Sequence, residues 1–101
     1  MPLPRTIRVG PMDLPVVLQE EIIHEGQDCD GAYDGMRIML RSDLRENPGR
    51  LLDTVLHEII HAIGRCLDLR LSERQVRLLA HALATLIVDN PRLVRWLACR
   101  D

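Results

Sequence analysis

The stretch from Leu52 to Gly64, LDTVLHEIIHAIG, constrains this chain more than any other. Read at 3.6 residues per turn, it is a helix with two unlike faces. Leu52, Val55, Leu56, Ile59, Ile60, Ile63 and Leu67 recur at helical spacing and form the stripe expected to be buried. Thr54, His57, His61, Gly64 and Asp68 form a second stripe alongside it, small or polar, with a glycine that leaves room for another group to approach. A fold for this chain has to bury the first stripe and leave the second within reach of a partner.

Within that helix, His57-Glu58-Ile59-Ile60-His61 reads H-E-x-x-H. Two histidines one turn apart on one face can both reach a single metal ion, for which zinc is the expected identity at one per chain. Glu58 lies roughly 100° round from His57 and nearer to His61, so it can border the metal without being forced to ligate it. Its expected role is general base. A helix that only had to pack would hardly place two histidines on that stripe.

Composition limits the core. The chain has 101 residues, so 1–101 is expected to form one domain with a thin core. Apolar residues make up 47% but aromatics only 2%, with no Phe, so Leu, Ile, Val, Ala and Met must fill the interior. The net charge of -2 and the lack of basic runs interleaved with aromatics give no nucleic-acid surface. No apolar run approaches a membrane span. Met1-Pro2-Leu3-Pro4-Arg5 lacks the apolar segment of a signal peptide. The expected compartment is therefore the cytoplasm. Cys29, Cys66 and Cys99 are odd in number, without C-x-x-C spacing, and read as free thiols. Cys66, five residues past His61, reads as a core cysteine rather than a metal-adjacent thiol.

Along the chain, Thr6–Val9 reads as a strand, residues 10–13 as a turn, and Pro15–Leu18 as a second strand with Pro15 at its start or on an edge. Gln19–His24 fits either a strand or a short helix. Glu25–Gly35 reads as a Gly/Asp-rich loop. Its Asp28-x-Asp30-Gly spacing fails as a calcium loop, because the glycine comes too early and no glutamate follows at the required distance. Met36–Leu40 reads as a strand beside the metal helix, and Ser42–Asn47 as a polar connection. Asn47-Pro48 starts the metal helix, which runs to about Arg65. Ser72-Glu73-Arg74-Gln75 has capping-box spacing and opens a second helix with a stripe of Val76, Leu79, Ala80, Leu83, Leu86 and Ile87. Asn90-Pro91 repeats the cap-plus-proline signal for a short last helix. The expected class is α+β: a short N-terminal antiparallel or mixed sheet, then the H-E-x-x-H helix, a second packing helix and a short C-terminal helix.

A catalytic zinc usually takes three protein ligands and leaves a place for water. The third histidine of a metzincin is excluded, because Leu67 stands at its position. Glu73 heads the stripe of the second helix that faces the first, so an antiparallel return can bring it to the histidine pair. An acid there is also favoured by the helix dipole alone. His81, two turns further on, is the second choice, as a ligand or as a donor to the reacting oxygen, and Asp68 is the third. His24 and Tyr33 come from the sheet region, where Tyr33 can donate to a developing oxyanion or simply pack its ring.

The order of short strands, the Gly-Ala-Tyr-Asp turn, Ile38-Met39-Leu40, the L-H-E-I-I-H-A helix, L-S-E and D-N-P together resemble the minimal zincins, in particular small, often phage-encoded, gluzincin-like metallopeptidases. Most of the chain is covered, although only the H-E-x-x-H part is specific. The resemblance implies a small zincin-like domain, with His57 and His61 as ligands, Glu58 as base and a glutamate of the following helix as third ligand. Similar sequences carry further acids after L-S-E, whereas this one has Arg74 and Arg77, which leaves Glu73 alone on that helix.

Two functions compete at this point. The first is a zinc-dependent metallopeptidase acting on a peptide or protein substrate, which the Met36–Leu40 strand receives along its edge. The second is a non-catalytic, zinc-stabilised interaction module, its site closed by a fourth protein ligand among Cys66, His81 and Asp68. No feature of the sequence sets an oligomeric state.

Overall fold

The structure is a computed structural model that describes residues 2–99. Six strands come first: β1 (Thr6–Val9), β2 (Met12–Gln19), β3 (Ile23–His24), β4 (Gln27–Asp28), β5 (Gly31–Tyr33) and β6 (Ile38–Arg41). A 3-10 turn at Ser42–Glu46 leads into α1 (Pro48–Cys66), then α2 (Glu73–Asp89) and α3 (Pro91–Ala98). The class is α+β, as expected, with a mixed sheet ordered β1-β2-β6-β5 and a separate β3-β4 hairpin. The β1/β2 and β5/β6 pairs are antiparallel, and β2/β6 is parallel.

Local chemistry explains the strand boundaries. Gly10 turns the first hairpin at φ +56, a conformation cheap only for glycine, and Pro11 follows with its ring-fixed negative φ. Pro15 lies inside β2 rather than at its start. The Val16 N–H donates to Arg5 O at 2.9 Å, so by alternation the Pro15 nitrogen faces the opposite edge. There, pairing with β6 begins only at Val16, and no ladder bond is lost.

The expected loop at 25–35 is partly ordered as strand. Glu25 (φ +53) and Gly26 (φ +77) turn the β3-β4 hairpin, both in the left-handed region that a tight hairpin uses. β5 follows directly. β6 starts at Ile38, two residues later than expected, because the Asp34 carboxylate accepts the N–H groups of Met36 and Arg37, both at 2.9 Å. That local turn sends Met36 into solvent, 79% exposed.

The core lies mainly between the sheet and α1. Val9, Leu14, Ile38 and Leu40 pack with Ala62, flanked by Leu51, Val55 and Ile59. Ile22, Ala32 and Met39 cover the other face of the sheet. β6 is thus paired on both edges and buried on both faces, which is why its sequence is an unbroken apolar run.

α1 is buried on two sides, and this corrects the single stripe expected of it. One side meets the sheet. The other, through Leu56 and Ile60, meets Val76 and Ala80 of α2. Ile63 and Leu67 fall outside both contacts and are 37% and 64% exposed. The α2 contact likewise runs through Val76 and Ala80, with Ala84 buried one turn on, while Leu79, Leu83 and Leu86 are left partly exposed. Small alanines allow the close approach that leucines would block.

The α1–α2 junction is fixed at both ends. Asp68 adopts φ +54 just past α1, Leu69 N–H donates to Gly64 O at 2.8 Å, and Asp68 N–H reaches Arg65 O at 3.4 Å. These are the bonds of a Schellman ending. Ser72 then opens α2 with a full capping box: Gln75 N–H donates to Ser72 Oγ at 3.1 Å and Ser72 N–H to Gln75 Oε1 at 2.8 Å. Asn47 caps α1 as expected, accepting from Arg50 N–H. Asn90 does not cap α3; its Nδ2 donates back to Leu86 O at 2.9 Å and ends α2 instead. Among the described residues, no helix is long and apolar enough to cross a membrane.

Candidate metal centre

The two buried sides of α1 leave a third strip of its surface open, and this strip carries the chemistry. Roughly 100° per residue places His57, His61 and Thr54 between the α2 side and the sheet side, with Glu58 at the sheet border. His57 and His61 present their rings edge to face, centroids 4.9 Å apart at 63°. Donor atoms of His57, Glu58 and His61 all lie within 4.8 Å of one another.

Glu73 completes the group from across the helix pair. Its Oε1 lies 2.6 Å from His57 Nε2 and its Oε2 3.1 Å from His61 Nε2. The capping box sets this position, since Glu73 is the first residue of α2 and the cap fixes where the helix begins. Two imidazole nitrogens and a carboxylate are a donor set that zinc accepts. Ligands of a tetrahedral zinc stand roughly 3.3–3.5 Å apart, given bonds of about 2.0–2.2 Å. The observed contacts are shorter by less than about 1 Å on that comparison. The Glu73 side chain is 63% exposed and free to make the adjustment.

Glu58 differs in kind from Glu73. It is 5% exposed, the one buried charged residue among those described. Burial first, and then the Glu73 carboxylate, push its carboxyl up from an ordinary 4.5 to about 7. Glu73 contacts both histidines directly from a second helix, whereas Glu58 is buried beside them on α1.

A cleft of about 820 Å³ opens over His57, Glu58 and Glu73, walled by residues 28–31 on one side and α2 on the other. Gly31 sits at the wall where β5 crosses α1: a Cβ there would lie 2.7 Å from Thr54 Cγ2. An ion pair and a histidine–carboxylate contact shape the rim. Arg50 Nε and Nη2 donate to Asp30 at 2.6 and 2.8 Å, and His81 Nδ1 lies 3.4 Å from Asp53 Oδ2. Arg50 and Asp53 could have been read from the sequence, being on the same helical strip seven and four residues before His57. Asp30 carries no such signal.

The other residues singled out from sequence lie elsewhere. His81 lines the cleft but is paired with Asp53 one helical turn before His57, outside the donor group. Asp68 is committed to the left-handed ending of α1 and is exposed. Tyr33 does not line the cleft; it packs with the α1–sheet core, its hydroxyl 3.9 Å from Met12 Sδ. His24 is on the β3-β4 hairpin, 3.9 Å from Glu25. Cys66 faces the β1–β2 turn, since a Cβ on Gly10 would lie 2.6 Å from its Sγ. The strand edge assigned to Met36–Leu40 is also corrected: β6 is paired on both sides, and the free edge beside the cleft belongs to β5. Comparison with family models, curated proteins and solved structures finds no match to this chain.

Proposed function

We propose that this chain is a zinc-dependent metallopeptidase of the minimal, gluzincin-like kind, with His57, His61 and Glu73 as zinc ligands and Glu58 as general base. The observation that carries the reading is Glu73, which comes from a different helix and meets both histidine Nε2 atoms at 2.6 and 3.1 Å. Zinc bound there supplies a Lewis acid and a water that ionises near neutral pH. Glu58 takes the proton of the attacking water and hands it to the leaving amine nitrogen. Its buried position beside both histidines suits Glu58 to both halves of that transfer. The free edge of β5, which meets the cleft at Gly31, pairs with an extended substrate backbone and leads it into the cleft. Three free thiols, Cys29, Cys66 and Cys99, fit a reducing cytoplasm.

A second reading draws on the nearness of Glu58 to both histidines. Were Glu58 a fourth ligand, the site would be closed and structural, and the chain a zinc-stabilised interaction module. Zinc content of the purified protein and three variants separates the two. The peptidase reading expects about one zinc per chain, lost in Glu73→Ala, kept in His81→Ala and kept in Glu58→Gln, which no longer cleaves peptides. Zinc loss in Glu58→Gln favours the closed site. An unaltered protein that takes up no zinc sinks both.

A further inference from the structure

The cleft's charges are nearly all spoken for. Arg50 holds Asp30, His81 holds Asp53, and Glu73 spends both oxygens on the histidines. Among the basic side chains of the cleft Arg77 is the exception: it lines the cleft, is exposed, and has no ion pair or side-chain hydrogen bond among the described residues. Its position makes this notable. Glu73 and His81 are its i−4 and i+4 neighbours on α2, and Glu73 is the natural intrahelical partner for an arginine four residues later. Because Glu73 is drawn across to α1, the exposed Arg77 side chain at the cleft has no protein partner among the described residues.

We propose that Arg77 is a specificity-determining residue that takes a carboxylate of the substrate, so that the preferred substrates are peptides carrying a carboxylate within about two residues of the scissile bond. This rests on the peptidase reading for the word substrate, while the anion site itself stands on Arg77 alone. A guanidinium presents a planar fork matched to a carboxylate. Side chains at i and i+4 on a helix are roughly 5–6 Å apart. An extended peptide advances about 3.3 Å per residue. A peptide whose carbonyl sits at the His57–His61–Glu73 point and which runs along α2 therefore has its first or second neighbouring residue beside Arg77. The carboxylate comes either from an acidic side chain or from the chain end, which would make the enzyme a carboxypeptidase.

Binding separates these sources without needing turnover. Five acetylated tetrapeptide probes serve: tetra-alanine with a free C-terminus, the same peptide amidated, and three amidated peptides with glutamate at position two, three or four. Affinities are measured by NMR titration against Glu58→Gln protein, with and without zinc, and against the same protein carrying Arg77→Gln. The expected result is roughly tenfold to hundredfold tighter binding of a carboxylate probe than of the amidated one, collapsing to within about twofold in Arg77→Gln. A free-terminus preference identifies the chain end, and a glutamate preference identifies a side chain. Equal affinity for acid and amide, a preference that survives Arg77→Gln, or no binding of any carboxylate probe at millimolar concentration overturns the proposal. Zinc content, read on the same samples, reports separately on the metal site: a chain that takes no zinc but keeps an Arg77-dependent carboxylate preference fails the peptidase reading and not this one.

Discussion

Replacing Glu58 with glutamine in the metal-free protein should raise stability in a strictly pH-dependent way. The folded chain holds the Glu58 proton more tightly than the unfolded chain, at about 7 against 4.5, mainly because the carboxyl is buried. Folding therefore loses stability as pH rises from 4.5 through 7, and is unaffected by this group below that window. The gap, at about 1.4 kcal/mol per pH unit, amounts to about 3 kcal/mol by pH 8. The amide of Glu58→Gln resembles the protonated acid and never has to ionise. The variant should match the parent near pH 4 and exceed it by about 3 kcal/mol at pH 8, a midpoint gain of roughly 10–20 °C for a domain of this size. Urea unfolding followed by far-ultraviolet circular dichroism, in chelator across pH 4–8, measures the difference; Trp96 is 70% exposed and makes a poor fluorescence probe. Zinc should narrow the gap, because a bound cation favours the carboxylate. A difference below about 1 kcal/mol at pH 8, or one equally large at pH 4, would refute the reasoning from burial.

Three further outcomes are expected. Asp68→Gly should stabilise the protein by about 0.5–1 kcal/mol, because glycine takes the left-handed φ of +54 without strain; chemical denaturation reads it. Gly31→Ala should destabilise by about 1–3 kcal/mol through the contact with Thr54 Cγ2, and pairing it with Thr54→Ser should restore part of that loss. Ser72→Ala should cost about 1 kcal/mol of stability and also weaken zinc binding in a competition titration, since the lost cap positions Glu73; zinc affinity equal to the parent's would show that Glu73 is held some other way.

What the sequence made legible follows from how local each signal is. The helix starts at Asn47-Pro48 and Ser72 were readable because caps are fixed by a few adjacent residues. The histidine pair was readable because its spacing equals a helical turn, and Glu73 because a short connection must return α2 antiparallel. β5 was not, being three residues long with a glycine at its head, in a stretch whose composition reads as turn. The packing faces were misread at Ile63, Leu67, Leu79, Leu83 and Leu86 because hydrophobic periodicity shows which residues could be buried, while the partner surface decides which are. Tyr33 and Asp68 show the same limit from the polar side, since a ring needed by the core and a backbone needing a left-handed residue left neither free for the site.

His57, His61 and Glu73 all belong to one helical hairpin, whereas Val16 must find Ile38 across the whole β3–β5 segment to close the sheet. Contacts near in sequence form sooner than distant ones. The hairpin can therefore gather its donors early in folding, before β2 and β6 meet, and an ion captured then would bias the chain toward the α1–α2 register that the finished fold requires. The burial that raises Glu58 comes later, once the sheet seats against α1. In order of assembly, the gathering of His57, His61 and Glu73 precedes the burial of Glu58, so under the proposed reading a partly folded chain would hold its ion before its acid–base group is in place.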